Sequence, residues 1–314
     1  MITKRIKNLG LTKCIQYTNI ADNIDRKKQT ASCRAGSIVI VRWSLGGEAE
    51  FEGDMASNVL KTHCRDDGVL VLTLDRPEAY NSLSLPLIEA LKSALESAKK
   101  DVSVRVIVIR GSGQGFSAGH DLGEVLSLET DAQRHALLEA CAAMMQSVHR
   151  CPKPVIAQVH GAAYAAGCQL VATADLAFAS EDARFATPGV NTGLFCSTPM
   201  VALSRAVTAK RSLRMLLTGK PISAEEAAEI GLINEAVPAD QLEAVVLDIA
   251  REIASKSSYV VQLGKTAFRE QAGMSLADAY AYCNTVVVDN LKANDAREGI
   301  SAFLEKRTPR WSDS

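Results

Sequence analysis

The chain has 314 residues, 47% apolar and 23% charged, with a formal net charge of -1. That composition supports a large buried core and excludes extended disorder for most of the length. Near-neutrality offers no basic face to nucleic acid or anionic lipid, and no apolar run approaches the ~20 residues needed to span a bilayer, so small-molecule chemistry is the expected class.

In chain order, residues 1–54 show no sustained period of helix or strand. Lys4, Arg5, Lys7 and Lys13, with no acid among residues 1–20, are compatible with an organelle transit peptide. Met55 opens MASNVLKTH just ahead of the first clear strand and reads as an alternative start. Residues 1–54 are therefore expected to be a leader or disordered extension. The expected location is cytoplasmic, or the mitochondrial matrix if this segment includes a transit peptide.

Regular patterning begins at Gly68. GVLVLTL (68–74) is a continuous apolar strand closed by the turn-forming Asp75-Arg76-Pro77. A helix follows with Ser84 as N-cap and Ile88, Leu91, Leu95 and Ala98 on one side. VRVIVIRG (104–111) is the next buried strand, then come a long helix near 130–149, the strand PVIAQVHG (154–161), a small-residue helix from about Ala163, and the strand DLAFAS (175–180). This alternation predicts an α/β layered core over 55–255. Ser223 and Glu226 form a capping box, after which helices at 240–255, 258–270 and 275–291 leave no strand to pair. Residues 256–314 read as a C-terminal helical region, and Val286, Val287, Val288 and Leu291 exceed what one buried face requires.

Eight cysteines (Cys14, Cys33, Cys64, Cys141, Cys151, Cys168, Cys196, Cys283) lie far apart without C-x-x-C pairs, and five histidines are equally scattered. They predict reduced thiols and no metal site.

Two segments could carry chemistry. GSGQGFSAGHDL (111–122) places glycines after a strand, where backbone can approach a ligand closely. It lacks both the dinucleotide and the Walker spacing. Within it, Gly115-Phe116-Ser117-Ala118-Gly119 formally matches a hydrolase nucleophile elbow. That chemistry needs an acid and then a histidine after the serine, and the last histidine is His160. HGAAYAAGCQL (160–170) opens a helix directly after a buried strand, and the unpaired N–H groups of a helix N-terminus suit a developing negative oxygen. Close packing of the helix on the sheet would explain its small residues equally well.

Taken together, FSAGHDL (116–122) and HGAAYAAGCQLVATADLAFAS (160–180) resemble the two signature segments of the crotonase, or enoyl-CoA hydratase/isomerase, family. RPEAYNSLS (76–84), ARFATPGVNTGLF (183–195) and LTGKPISAEEAAEIGLINEAVP (217–238) follow in the family's order. The resemblance implies a spiral of repeated ββα units with a C-terminal helical trimerisation region, assembled as a homotrimer or homohexamer. It implies an acyl-CoA substrate, with no cofactor beyond the coenzyme A of that substrate. By position, the main-chain N–H groups of His120 and Ala166 would form an oxyanion hole for a thioester enolate. Coenzyme A would run along Ala79, Tyr80, Ala118, Asp121 and Leu122, with Lys265 a further candidate for a CoA phosphate.

The chain departs from the family pattern where hydratases hold water between two glutamates, since those positions match Gln169 and Gly189. Asp121 and Asp175 read as turn or cap residues, and the His120 imidazole as a main-chain neighbour of the chemistry. Three readings remain. The first is a thioester enzyme using another group (Tyr164, Asn191, Cys196 and Ser197 lie in suitable segments), decarboxylation being its best form because FSAGHD with TPGVN is also similar to the family's decarboxylases. The second is a catalytically weak acyl-CoA-binding regulatory protein, and the third is hydration through an unaligned group.

Overall fold

The computed structural model describes residues 29–32, 38–43, 49–52 and 59–314. The basic residues on which a transit peptide was read lie outside the described residues. The chain divides into two compact units, Met1–Asn58 and Val59–Ser314. In the first, strands β1 (Gln29–Ser32), β2 (Ile38–Trp43) and β3 (Ala49–Glu52) form an antiparallel sheet in that order, where the sequence pattern predicted no strand.

The second unit is built on a six-stranded sheet. Its first strands are β4 (Leu60–Cys64) and β5 (Val69–Leu74), which pair antiparallel. Helix α1 (Leu85–Lys100) crosses to β6 (Val106–Gly111), and α2 (Leu122–Ser127) and α3 (Asp131–Arg150) lead to β7 (Val155–Val159). Strand β8 (Ala162–Tyr164) and helix α4 (Ala166–Thr173) come next, then β9 (Leu176–Ser180) and β10 (Arg184–Ala186). Helices α5 (Ser197–Ala206) and α6 (Ala209–Thr218), strand β11 (Ile222–Ser223), helix α7 (Ala224–Glu229) and strand β12 (Glu235–Val237) complete the core. Helices α8 (Leu242–Ala254), α9 (Ser258–Gln271), α10 (Leu276–Lys292) and α11 (Asn294–Leu304) close the chain.

The six strands run β12-β9-β7-β6-β5-β4, parallel except for β4, while β11-β10-β8 form a smaller sheet. Continuous apolar strands form here because both sheet faces are covered. Val69, Val71, Val106, Val108 and Ile156 pack with Leu242, Val246 and Ala250 of α8. The alternate residues Leu70, Leu72, Ile107, Ile109 and Val155 belong to the other core with Leu87, Leu91 and Leu95 of α1 and Met144 and Val148 of α3.

Three local expectations need correction. A strand does follow Ser223: β12 pairs parallel with β9, and Asn234 anchors it through Asn234 N to Ala177 O (2.7 Å) and Ala177 N to Asn234 Oδ1 (2.8 Å). Three residues are too few to show a period, and the partner strand is distant in sequence. The small-residue helix begins at Ala166, because Ala162–Tyr164 pair as β8 with β10. Only half of the capping box forms: Ser223 Oγ accepts from Glu226 N (3.1 Å), while the Glu226 carboxylate engages Arg214 (2.9 Å).

Candidate active site

Strands β6 and β7 are parallel neighbours, and the stretches that follow them, the loop 112–121 and residues 160–165 with the short strand β8, carry the two glycine- and alanine-rich segments. Ligands in open α/β sheets bind beyond the carboxyl ends of strands. The third wall is the stretch 76–84, where the pattern showed a turn at Asp75-Arg76-Pro77 and the resemblance placed Ala79 and Tyr80 along coenzyme A.

Asn81 ties this stretch to the first segment. It is fully buried in the left-handed region at φ 52, as is its neighbour Tyr80 at φ 50. The Asn81 side chain accepts from Arg76 N (2.9 Å) and donates to Ser112 O (2.7 Å) and Gly115 O (2.8 Å). Sequence reasoning missed this role; the available signal was an asparagine in the turn-rich RPEAYN, a residue that tolerates positive φ. Ser117, fully buried, donates its hydroxyl to Asn81 O (2.9 Å) and accepts from Gly119 N (3.3 Å), so no accessible nucleophile stands at the elbow-like motif.

The direction of the first segment's N–H groups follows from its pairing. Ser117 bonds the β8 side, through Ser117 N to Ala162 O (3.0 Å) and Tyr164 N to Ser117 O (2.9 Å). Ala118 N turns the other way, to Tyr80 O (2.9 Å). Gly119, at φ +96, resets the alternation: its carbonyl accepts from Leu83 N (2.7 Å) and Asp121 N donates to Leu83 O (3.4 Å). The intervening N–H of His120 therefore turns back toward 162–166. A β-carbon on Gly119 would lie 2.8 Å from Ala165 Cβ and 3.1 Å from Ala166 N, so only glycine lets the two backbones approach this closely.

On the facing side, Ala165 is held at φ 48, ψ -116, a conformation costing an alanine about 1–3 kcal/mol. Its N–H donates to Ala186 O (2.9 Å), and this strained turn launches α4. The ladder of α4 starts with Gln169 N to Ala165 O (3.0 Å). Among the described residues the N–H groups of His120 and Ala166 have no acceptor.

The expected coenzyme A contacts form an accessible strip: Ala79 and Asp121 are half-buried, and Tyr80, Ala118 and Leu122 are exposed. Asp121 is the cap that the sequence predicted, accepting from Gly123 N (3.1 Å) and Glu124 N (3.3 Å) at the start of α2. Its ion pair with Arg76 (3.0 Å) holds its carboxyl below the usual carboxylate range.

Lys265 does not join this strip. Its ammonium bonds Asp175 Oδ2 (2.5 Å) and Lys153 O (2.8 Å), and Asp175 follows the C-terminal end of α4. An eight-residue helix, about 12 Å long, separates that end from Ala166. Burial pulls the Lys265 ammonium below its ordinary value despite Asp175 beside it. Asp175, expected as a cap, does accept from Val155 N (2.7 Å) but is also an ionic hub, pairing with Arg269 at 2.5 Å.

The two positions that the resemblance matched to hydratase glutamates are Gln169 and Gly189. Gln169 is 6% exposed. At Gly189 a β-carbon would meet Leu194 O at 2.8 Å and Cys196 Sγ at 2.9 Å, so this backbone admits no side chain there. Burial pushes the Cys196 thiol up and keeps it protonated. Ser197 and Asn191 are exposed and make only long bonds, to Phe195 O (3.4 Å) and Gly219 O (3.5 Å). Tyr164 is half-buried. Burial alone lowers the His120 imidazole below its ordinary value, making it neutral at pH 7. Among the described residues no group of three or more His, Cys, Asp or Glu is placed to hold a metal, and no helix is long and apolar enough to cross a membrane.

A family model described as enoyl-CoA hydratase/isomerase matches residues 65–314. The mouse protein named enoyl-CoA hydratase domain-containing protein 3, mitochondrial, is 44% identical over 266 residues, covering 85% of this chain and 89% of its own. Its human counterpart is 47% identical over 247 residues, 78% of this chain and 81% of its own. The crystal structure of the human protein, at 44% identity, matches with a TM-score of 0.79 over 81% of this chain and 100% of that one. The expected crotonase-like α/β fold is borne out by that likeness.

Proposed function

The chain belongs to the enoyl-CoA hydratase/isomerase family, and from that premise we propose that it binds an acyl-CoA thioester whose carbonyl oxygen accepts hydrogen bonds from His120 N and Ala166 N. The observation that carries this reading is the close approach at Gly119, which brings together the two backbone segments whose His120 and Ala166 N–H groups have no acceptor among the described residues. Preorganised donors at a developing oxyanion stabilise an enolate by about 3–4 kcal/mol each. The helix dipole of α4 adds to Ala166. Coenzyme A runs along Ala79, Tyr80, Ala118, Asp121 and Leu122. Calorimetry with butyryl-CoA tests the reading: binding is expected, and it is lost in Gly119→Val. Undiminished binding by that variant would overturn the assignment.

The reaction is one that forms or protonates an enolate without two carboxylates gripping a water, because Gln169 cannot exchange a proton as glutamate does and Gly189 has no room for a side chain. That same observation favours decarboxylation as a second reading, since loss of CO2 makes the enolate without a base. Malonyl-type CoA esters that release no CO2 would remove it. Crotonyl-CoA hydration surviving at the wild-type rate in Gln169→Ala would show that hydration runs through an unaligned group.

The two mammalian relatives are named as mitochondrial. They support a mitochondrial location over the cytoplasmic one, with the basic residues near the start of the chain serving as the address. A reporter fused to residues 1–54 that stays in the cytosol would contradict this. A homotrimer or homohexamer would cover Leu276, Val287, Val288, Leu291 and Phe303, all more than half exposed in the single chain. A monomeric mass in solution would exclude it.

A further inference from the structure

Helix α2 follows directly on the His120 donor, yet apolar packing does not hold it: none of its residues is buried, and Leu122 and Leu126 are 54% and 86% exposed. Polar groups fasten it instead. Glu124 accepts from Leu85 N (3.0 Å). Asp121, the N-cap, turns one carboxylate oxygen to Gly123 N and Glu124 N and the other to Arg76 (3.0 Å) and Ser82 Oγ (3.3 Å). The second arm of the Arg76 fork donates to Ser82 O (2.8 Å) and Ser82 Oγ (3.1 Å), so one planar guanidinium grips both the 76–84 stretch and the glycine-rich segment. Its main chain is fixed as well, the N–H donating to Asn81 Oδ1 (2.9 Å) and the carbonyl accepting from Asn81 N (2.9 Å). The peptide that carries the His120 N–H is held on its Gly119 side by a short bond, Leu83 N to Gly119 O (2.7 Å). On the other side the main chain has only the long bond from Asp121 N to Leu83 O (3.4 Å), which leaves the Asp121 carboxylate as the firmer tie.

Resting on the oxyanion-hole reading above, we propose that Arg76 is a positioning residue for the chemistry: acting through Asp121, it sets the aim of the His120 N–H. Its side-chain bonds end on Ser82 and Asp121, so its influence on a reacting carbonyl is indirect. The pair is sheltered, with side chains 19% and 24% exposed, and a charge-assisted bond in such a place is stiffer than a surface pair. Two donors stabilise an enolate fully only when both point at one oxygen, and the charged enolate loses more from a small misaim than the neutral thioester does. Loosening Arg76 therefore weakens enolate stabilisation more than thioester binding.

Two ligands on the full chain at pH 7 separate these effects. Acetoacetyl-CoA, whose enolate absorbs in the ultraviolet, reports the aim of the donors, and calorimetry with butyryl-CoA reports thioester binding. The wild type is expected to raise the enolate fraction of bound acetoacetyl-CoA. In Arg76→Met the enolate-to-keto ratio is expected to fall about tenfold, short of the roughly hundredfold loss typical of removing one oxyanion donor. Butyryl-CoA affinity is expected to stay within about threefold. Asp121→Asn keeps a helix cap without the ion pair, so it is expected to show the same loss, and the double variant no more than either single one. Arg76→Lys, which keeps the charge without the fork, is expected to fall between. An undiminished ratio in Arg76→Met or Asp121→Asn would overturn the proposal, with Asp121→Asn deciding alone if Arg76→Met does not fold. Losses that add in the double variant, or a parallel loss of butyryl-CoA affinity, would overturn it too, and all of these leave the acyl-CoA reading in place. A wild type that binds butyryl-CoA but leaves acetoacetyl-CoA at its solution keto–enolate balance would overturn the oxyanion-hole reading and this proposal together.

Discussion

The two ends of helix α4 hold polar groups in opposite states. Beyond its C-terminal end, Asp175 accepts from Val155 N, Lys265 and Arg269, and Lys265 reaches on to Lys153 O, so that among the described residues Arg269 Nε is the one buried polar atom of this cluster without a partner. At its N-terminal end Ala166 N, His120 N, Gln169 Oε1 and Thr187 Oγ1 have no partner among the described residues. The charged end ties α9 to the sheet, and its ions are consumed in doing so. The uncharged end carries the candidate chemistry. Pairing state therefore separates the structural polar residues from the candidate functional ones better than charge does, and it groups Lys265 with the paired set.

The largest effect should come from breaking the paired end. Asp175→Ala strands two largely desolvated cations, and loss of one partner of a buried pair costs about 3–5 kcal/mol. Since Arg269 is 21% exposed, the lower end of that range is expected. Thermal unfolding would show it, with acyl-CoA affinity retained by the folded fraction. Next, Gly119→Ala should lower turnover of whichever thioester is a substrate by about a hundredfold, the loss typical of one misplaced oxyanion donor, with a smaller change in the thermal midpoint. A hundredfold loss in the Asp175 variant instead would mean that the two ends are not separable. Smaller again, Lys265→Met should leave acyl-CoA affinity within about threefold, because a lysine spent on Asp175 makes no phosphate contact. A tenfold loss that vanishes at high salt would restore Lys265 to the binding site.

The smallest effect is a pH dependence. The folded-state His120 value lies below the ordinary 6.5 through burial. A buried neutral imidazole contributes stability that is present above the unfolded value and lost as pH falls through the lower folded one. His120→Phe should therefore flatten the stability profile below about pH 6.5, and an imidazole NMR titration with a midpoint above that value would contradict the assignment.

The layers of the fold were legible because Val69–Leu74, Val106–Gly111 and Val155–Val159 are apolar on both faces, a pattern that requires cover on both sides. Strands β8, β10 and β12 were not, since each has three residues and pairs with a segment far along the chain. In the site, the glycine-rich segment signalled close backbone approach, and Gly119 supplies it. The clamp at Asn81 and the strained turn at Ala165 were hidden because both depend on contacts across the fold: Asn81 to Gly115, and Ala165 to Ala186. The pairing of Lys265 with Asp175 was hidden for the same reason, Asp175 being visible in sequence only as an element end.

The most direct test is a crystal structure of the protein with a bound acyl-CoA. The thioester oxygen is predicted to lie about 2.7–3.1 Å from both His120 N and Ala166 N. An oxygen beyond hydrogen-bond reach of either N–H, or coenzyme A lying along Lys265 and Arg269, would contradict the account.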